Sequence, residues 1–290
     1  MTPIRSIILS LAALMTLLAM LVFATGAHAG SYEVRACDGS GINHSFVAAG
    51  SAMVAANGSC SAVPLLGMQV RNGLGSGSAD AFTWGALEAV APAGSVISAI
   101  HAKATAYDQK AAANIDGWRA GIADDSGFRW CGTPSPCAWS GAPSLPIALT
   151  GLSTTRLRLM VICALGSGCR RNVVQATTTL SDVILEIRDD QSPVFGALRG
   201  ALASYDGWVA GAIATGFNAN DAAGIQRAAV SVDGTSVIGV EHRCDQYSMS
   251  PCPNGGADAT IETGQLNDGP HSVLASAVDA AGNTAEQRSI

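Results

Sequence analysis

Eight cysteines are spread along the chain in closely spaced pairs. Three successive pairs are separated by six, six and eight residues, and the other two cysteines enclose a longer loop. Such short separations favour closure of local loops, each contributing about 2–3 kcal/mol through the unfolded state. The spacing therefore predicts four disulfides paired in sequence order: Cys37–Cys60, Cys131–Cys137, Cys163–Cys169 and Cys244–Cys252.

Residues 1–29 have the form of a secretory signal peptide. Arg5 supplies the positive start, residues 7–23 are almost wholly apolar, and residues 27–29 (AHA) form a small-x-small cleavage site. A retained membrane anchor is the alternative, because the apolar run is about as long as a minimal spanning helix. We expect cleavage before Gly30 and a secreted protein, extracellular or at the cell surface, where disulfides persist.

The charge of the chain limits its partners. Only 13% of the residues are charged, and the net charge of −6 becomes −7 when Arg5 leaves with the signal peptide. Lys103 and Lys110 are the only lysines. A phosphate backbone or an anionic membrane surface requires clustered cations, so we expect neither nucleic acid nor membrane as a partner.

Residues 189–193 (DDQSP) predict a boundary between two domains, residues 30–190 and 191–290. Six cysteines precede the boundary and two follow it, and both even counts suit separately closed domains. Before the boundary, apolar residues alternate with polar ones in a pattern typical of strands. The clearest segments are residues 31–37, 81–91, 95–107, 117–123, 155–163 and 177–188. Many strands with long loops favour an all-β fold, and here a two-sheet jelly-roll sandwich.

Residues 191–290 show short strand patterns at regular spacing. The predicted strands are residues 207–217, 260–263 and 271–279, together with a hairpin over 230–240. The dipeptide Asp233-Gly234 stands at the hairpin turn, where a type I′ geometry favours it. About a hundred residues with this spacing predict an immunoglobulin-like sandwich.

Three segments of the second region also carry a family resemblance. They are residues 222–234 (AAGIQRAAVSVDG), 251–256 (PCPNGG) and 266–285 (LNDGPHSVLASAVDAAGNTA). These segments resemble the immunoglobulin-like domains of large secreted bacterial surface proteins. The layout of the first region is similar to the concanavalin A-like jelly rolls that precede such domains. The resemblance implies an adhesive or carbohydrate-facing protein.

Catalytic and metal-binding patterns are sparse in the sequence. No glutamate lies in the paired arrangement of the jelly-roll glucanases, and no serine-hydrolase elbow occurs. A zinc site at His242, Cys244 and Cys252 lacks a fourth ligand, so a disulfide is favoured there. We therefore expect no catalytic residue and no cofactor. Oxygen ligands for calcium are weakly indicated at loop ends, by Asp221, Asp279 and Asn283.

Aromatic residues concentrate in one part of the first region. Trp118, Trp130 and Trp139 lie close together in the sequence, near Asp125 and Arg129. Exposed aromatic rings beside charged groups are typical of sugar-binding surfaces, so these five residues are a candidate ligand platform. Burial in the core is the alternative for each tryptophan. The segment around Trp118 (DGWRAG) is echoed by residues 206–211 (DGWVAG), which we interpret as two similar turn-and-strand starts.

The sequence as a whole favours a secreted or cell-surface, non-catalytic protein for adhesion or carbohydrate binding, with a glycan or another cell-surface ligand as partner. One alternative is a secreted carbohydrate-active enzyme whose two carboxylates come from distant positions. The other is a structural spacer fragment of a larger surface repeat protein. An exposed tryptophan without a carboxylate pair favours binding, whereas complete burial of the tryptophans favours the spacer.

Overall fold

The structure is a computed structural model of the chain, and it describes residues 30–60, 67–108, 117–130, 145–203 and 207–289. The described residues form strands joined by loops and two single 3-10 turns, which confirms the all-β prediction. None of the helical segments in these ranges is long and apolar enough to cross a membrane.

Thirteen strands lie in the described part of the N-terminal region, residues 30–189. In chain order they are β1 (Gly30–Arg35), β2 (Val47–Gly50), β3 (Val54–Asn57), β4 (Met68–Asn72), β5 (Ser78–Ala79), β6 (Trp84–Val90), β7 (Ser95–Asp108), β8 (Trp118–Asp124), β9 (Gly127–Trp130), β10 (Leu145–Leu149), β11 (Arg156–Cys163), β12 (Cys169–Arg170) and β13 (Ala176–Asp189). Seven more follow in the described part of the C-terminal region, residues 194–289: β14 (Val194–Arg199), β15 (Ala212–Asn220), β16 (Ile225–Val232), β17 (Thr235–Glu241), β18 (Gly255–Glu262), β19 (Val273–Asp279) and β20 (Thr284–Ser289).

Two large antiparallel sheets share one core in the N-terminal region. One sheet has the order β10-β7-β13-β4-β3, with β1 also paired to β13, and the other has the order β2-β6-β11-β8-β9. Leu157 and Leu159 of β11 are fully buried, as are Leu185 and Ile187 of β13. Because side chains alternate between the two faces of a strand, these every-second residues turn inward together.

The C-terminal region has two smaller sheets around its own core. The orders are β14-β15-β18 and β17-β16-β19-β20. Phe217 of β15 lies between them and meets Phe195 edge-to-face at 5.2 Å between ring centroids. Val230 of β16 and Ala275 of β19 are fully buried in the same cluster.

The local sequence signals in the C-terminal region have mixed outcomes. The β16–β17 hairpin is confirmed, and Asp233 and Gly234 have φ of 49° and 81° at its turn. The strand predicted at residues 207–217 is wrong at its start, because β15 begins at Ala212. The strand predicted at 260–263 is too short, since β18 begins at Gly255.

The disulfide pairing in sequence order is confirmed for three pairs, Cys37–Cys60, Cys163–Cys169 and Cys244–Cys252. The predicted Cys131–Cys137 pair lies outside the described residues. Three closed bridges suit an oxidising compartment.

The loop closed by Cys244–Cys252 packs against the N-terminal region. The Arg35 N–H donates to Gln246 O at 2.9 Å, and the Tyr32 hydroxyl donates to Met249 O at 2.8 Å. Met249 also packs against the N-terminal core, together with Ala223. The loop therefore joins the two regions at the junction that follows Asp189.

Candidate functional site

Trp118 of the predicted ligand platform belongs to the core. Only 1% of its surface is exposed, and its indole N–H donates to the carbonyl oxygen of Arg170 at 2.7 Å. A ring enclosed on both faces cannot stack on a sugar. The expectation that Trp118 binds ligand is therefore wrong, and the core alternative holds because β8 faces the opposite sheet.

The other members of the predicted platform have partners within the protein. Trp130 is half-buried and packs against the N-terminal core. The Arg129 Nε donates to Asp124 at 2.5 Å, whereas Asp125 accepts from Nη1 of Arg158 at 3.2 Å. Trp139 lies outside the described residues. Arg129 and Asp125 are thus engaged by different neighbours.

A pair of carboxylates does lie near a tryptophan in the five-stranded sheet. Arg158 donates from Nε to Glu88 at 2.5 Å and from Nη1 to Asp125, and its guanidinium lies 5.9 Å from the centroid of Trp84. Both carboxylates are therefore occupied by one cation. This arrangement is a surface ion-pair network rather than an acid and a base facing a free groove.

Trp208 is the most exposed tryptophan among the described residues. It stands in the loop before β15, and 85% of its surface is accessible. Gly207 and Gly211 flank this loop with φ of 115° and 87°, a backbone that favours glycine. Trp208 forms one wall of a pocket of about 460 Å³ at the end of the C-terminal region that lies away from the junction, hereafter the outer-end pocket.

The outer-end pocket has an apolar floor and a polar rim. Ile213, Ile261 and Val273 come from both sheets and line the floor, where strand ends leave the core uncovered. Asn267 and Asp268 stand at the rim, in the loop before β19. A pocket of this volume with apolar walls and a few polar groups has the character of a small-molecule site.

His271 adds an imidazole to the rim of this pocket. Its Nδ1 lies 2.6 Å from a carboxylate oxygen of Asp233, and its Nε2 lies 2.7 Å from the carbonyl oxygen of Asn267. The hydrogen bond to Asp233 raises the pKa of His271, and that to Asn267 adds to the effect. The His271 hydrogen bond likewise lowers the pKa of Asp233.

Three carboxylates meet at the junction between the two regions. One oxygen from each of Asp189, Asp221 and Asp279 lies within 4.8 Å of the others, and we call this group the junction carboxylates. Asp189 ends β13, Asp221 follows β15, and Asp279 ends β19. Of the predicted calcium candidates, the structure thus brings Asp221 and Asp279 together and adds Asp189.

Asn283, the remaining calcium candidate, holds the carboxylate of Asp279 and the backbone of Asp189. Its side-chain amide N–H₂ donates to Asp279 Oδ2 at 2.8 Å and to the carbonyl oxygen of Asp189 at 3.0 Å. Its backbone N–H donates to Asp279 Oδ1 at 2.8 Å. Asn283 therefore acts as a donor that bridges the two regions, and the clustered oxygens belong to the three aspartates.

Two of the junction carboxylates, Asp221 and Asp279, have raised pKa values. Burial raises the pKa of Asp221, and the neighbouring charges of Asp189 and Asp279 raise it further, although the Ala223 N–H opposes them. Burial also raises the pKa of Asp279, against the hydrogen bonds from Asn283. Burial and the same three carboxylates raise the pKa of Tyr32. The junction thus concentrates acidic side chains whose mutual repulsion opposes their ionisation.

The sequence signals for Trp208 and Asp189 were present but not decisive. Trp208 lies in the second copy of the DGW echo, and Asp189 lies in the DDQSP segment that marks the boundary. Neither pattern specifies what lies opposite the side chain in space. The zinc alternative at His242 is excluded, since Cys244 and Cys252 form a disulfide and neither can bind zinc as a thiolate.

Comparisons with known proteins place few limits on the function. No family model and no curated protein matches the chain. Among solved structures, the chain is similar to the glycoside hydrolase domain of Endo-D from Streptococcus pneumoniae R6, with 14% identity and a TM-score of 0.24. It is also similar to a beta-1,2-glucanase from Parabacteroides distasonis, with 12% identity and a TM-score of 0.25. The alignments cover 84% and 89% of this chain but only 36% and 38% of those chains.

Proposed function

We propose that this is a secreted, non-catalytic protein that binds carbohydrate in the outer-end pocket. The observation that carries the proposal is the 85% exposed ring of Trp208, which walls an apolar pocket with a polar rim. A flat aromatic face stacks on the apolar face of a sugar ring, while nearby polar groups hydrogen-bond its hydroxyls. The amide of Asn267 and the carboxylate of Asp268 provide such groups at the rim.

The architecture that we propose for this function is a jelly-roll sandwich followed by an immunoglobulin-like sandwich. The face-to-face five- and six-stranded sheets of the N-terminal region support the first. The seven strands of the C-terminal region, arranged as β14-β15-β18 against β17-β16-β19-β20, support the second. The residues that resemble bacterial surface domains fit this assignment, and so does a place outside the cell.

Binding is favoured over catalysis because the carboxylates near the tryptophans are already engaged in ion pairs within the protein. Glu88 and Asp125, beside Trp84, are both engaged by Arg158. At the outer-end pocket, Asp233 is engaged by His271. Glycoside hydrolysis requires two carboxyl groups that face one bond, one of them as a proton donor. The spacer alternative gives no reason for a large apolar ring to remain exposed beside a pocket.

A glycan array with the secreted form tests this proposal. We expect binding to a restricted set of glycans, with affinity reduced roughly tenfold or more by Trp208→Ala because the stacking surface is lost. Trp130→Ala is the matched control, since it removes an indole from the other region and should leave binding unchanged.

Two outcomes separate the alternatives. A blank array for the wild-type protein would overturn the carbohydrate proposal and favour the spacer. Release of reducing sugar from a bound glycan would instead establish the enzyme alternative, and Glu88→Gln with Asp125→Asn would then identify whether the pair beside Trp84 is responsible.

A further inference from the structure

We propose that the junction carboxylates form a Ca²⁺ site that ties the two regions of the protein together. The site involves Asp189, Asp221 and Asp279, which lie at the opposite end of the C-terminal region from the outer-end pocket. It is therefore independent of the carbohydrate proposal, and each can fail without the other.

The first observation is an unpaired carboxylate oxygen that is out of contact with water. Asp189 is 1% exposed, and its Oδ2 has no hydrogen-bond partner among the described residues. Its Oδ1, by contrast, accepts from the backbone N–H of Gln191 at 3.0 Å. A buried, unpaired carboxylate oxygen is costly to maintain, so such an oxygen on a member of a carboxylate cluster indicates a cation ligand.

The second observation is that protein cations do not neutralise the cluster. None of the ion pairs in the described part of the chain includes Asp189, Asp221 or Asp279. Arg188 precedes Asp189 in the chain, but its guanidinium is 3.6 Å from Asp190 instead. Three neighbouring carboxylates without a counter-charge repel one another, and a bound divalent cation removes that repulsion.

The donor atoms indicate which cation. All three side chains offer oxygen, the ligand of hard cations, and the cluster has no thiolate or imidazole of the kind that zinc prefers. Oxygens on opposite sides of a Ca²⁺ ion are separated by about 4.6–5.2 Å, against about 4.0–4.2 Å for Mg²⁺. The three donor oxygens all lie within 4.8 Å of one another, a separation that one Ca²⁺ ion can span. Water completes the coordination shell at the half-exposed Asp221.

The ligands come from both sides of the junction, so the ion acts as a clamp. Asp189 belongs to the N-terminal region, whereas Asp221 and Asp279 belong to the C-terminal region. Asn283 already bridges the same two groups by donating to Asp279 and to the Asp189 carbonyl. Binding of Ca²⁺ should therefore restrict the relative motion of the two regions.

Calorimetric titration of CaCl₂ into chelator-stripped secreted protein tests the site. We expect one Ca²⁺ per chain with a Kd of about 0.1–1 mM, the range of extracellular calcium modules, and weaker binding of MgCl₂. Ca²⁺ at about ten times its Kd should raise the Tm by about 3–6 °C. Asp189→Asn should weaken binding at least tenfold and abolish the rise in Tm.

Asp190→Asn is the matched control, because it removes the same charge one position along the chain from an exposed side chain. It should bind Ca²⁺ like the wild type. Asp221→Asn is a second ligand variant at a half-exposed position, where folding is less at risk. The proposal is overturned if the wild type shows neither heat nor a rise in Tm, or if Asp189→Asn and Asp221→Asn both bind as the wild type does.

The variants also separate this proposal from the carbohydrate proposal. Trp208→Ala should retain the Ca²⁺ affinity of the wild type, and Asp189→Asn should retain the glycan profile. Small-angle X-ray scattering with and without Ca²⁺ tests the clamp: we expect a narrower distribution of distances with Ca²⁺ in the wild type and no change in Asp189→Asn.

Discussion

Two nearly identical segments of this chain have opposite environments. Residues 117–121 read GWRAG and residues 207–211 read GWVAG, and each begins with a glycine of positive φ. Trp118 is 1% exposed within β8, whereas Trp208 is 85% exposed before β15 begins. The same local sequence thus supplies a core residue in one region and a surface ring in the other.

The difference arises from what lies against each ring. The loop between Cys163 and Cys169, with Arg170 directly after it, covers the first segment: the Ala164 N–H donates to the carbonyl oxygen of Gly117, and Arg170 O accepts from the Trp118 indole. No hydrogen bond to the Trp208 side chain occurs among the described residues, and its indole stands beside an open pocket. Burial of Trp118 therefore depends on the opposite sheet and on a covering loop that is distant in the sequence.

The largest difference in the free energy of unfolding should appear between the alanine variants of the two tryptophans. Trp118→Ala should lower the free energy of unfolding by about 3–5 kcal/mol, because it removes a buried indole and leaves a cavity. Trp208→Ala should change the free energy of unfolding by no more than about 0.5 kcal/mol, because the ring is on the surface. Urea denaturation measures the free energy of unfolding of both variants. Equal losses for the two would contradict the different environments of Trp118 and Trp208.

Opening the covering loop should have the next largest effect. Cys163→Ser with Cys169→Ser should lower the free energy of unfolding by about 2–3 kcal/mol through loss of the cross-link. Water should also reach Trp118, so tryptophan fluorescence should shift to longer wavelength in the folded state. The matched control is Cys244→Ser with Cys252→Ser, which opens a loop of similar length at the junction and should leave that fluorescence unchanged.

The glycines that precede the tryptophans should differ more modestly. An alanine Cβ at Gly117 would lie 2.1 Å from Leu165 in the covering loop, whereas nothing lies within 4 Å of one at Gly207. Gly207→Ala should cost about 1 kcal/mol for its positive φ alone, and Gly117→Ala about 2–3 kcal/mol because the clash adds to that strain. Thermal unfolding of the two variants compares them, and the two costs would be equal if the covering loop moved aside freely.

The smallest effect concerns pH at the rim beside Trp208. Asp233 raises the pKa of His271, so the stabilisation by this pair is complete below the unfolded histidine pKa of about 6.5 and is lost as pH rises through the higher folded value. The pKa of Asp233 is lowered, so its contribution is present above about 3.9 and is lost as pH falls through the lower folded value. A proton NMR titration should place the His271 midpoint above 6.5, and Asp233→Asn should return it towards 6.5.

Several features of the molecule could be predicted because their causes are local. Alternating apolar residues place Leu157 and Leu185 inward, and this is confirmed by their complete burial. The Asp233-Gly234 turn is confirmed because both residues tolerate positive φ. Cys163–Cys169 and Cys244–Cys252 are confirmed because their short spacings favour local closure, and Cys37–Cys60, with a separation of 23, is confirmed as the pair that remains.

The sites could be predicted only in part. The segment LNDGPH, which contributed to the family resemblance, contributes Asn267, Asp268 and His271 to the rim of the outer-end pocket. The segment DAAGN, also part of that resemblance, places Asp279 and Asn283 at the junction. Asp189 was missed because its role depends on β13 ending opposite a loop of the other region.

The sequence by itself determined the β structure, the local cross-links and the tight turns of this protein, since each depends on residues near one another in the chain. The tertiary structure alone decided that Trp118 is covered and Trp208 is not, and that Asp189 meets Asp221 and Asp279. Burial and charge repulsion depend on neighbours brought together by sheet packing, and periodicity along one strand carries no information about them.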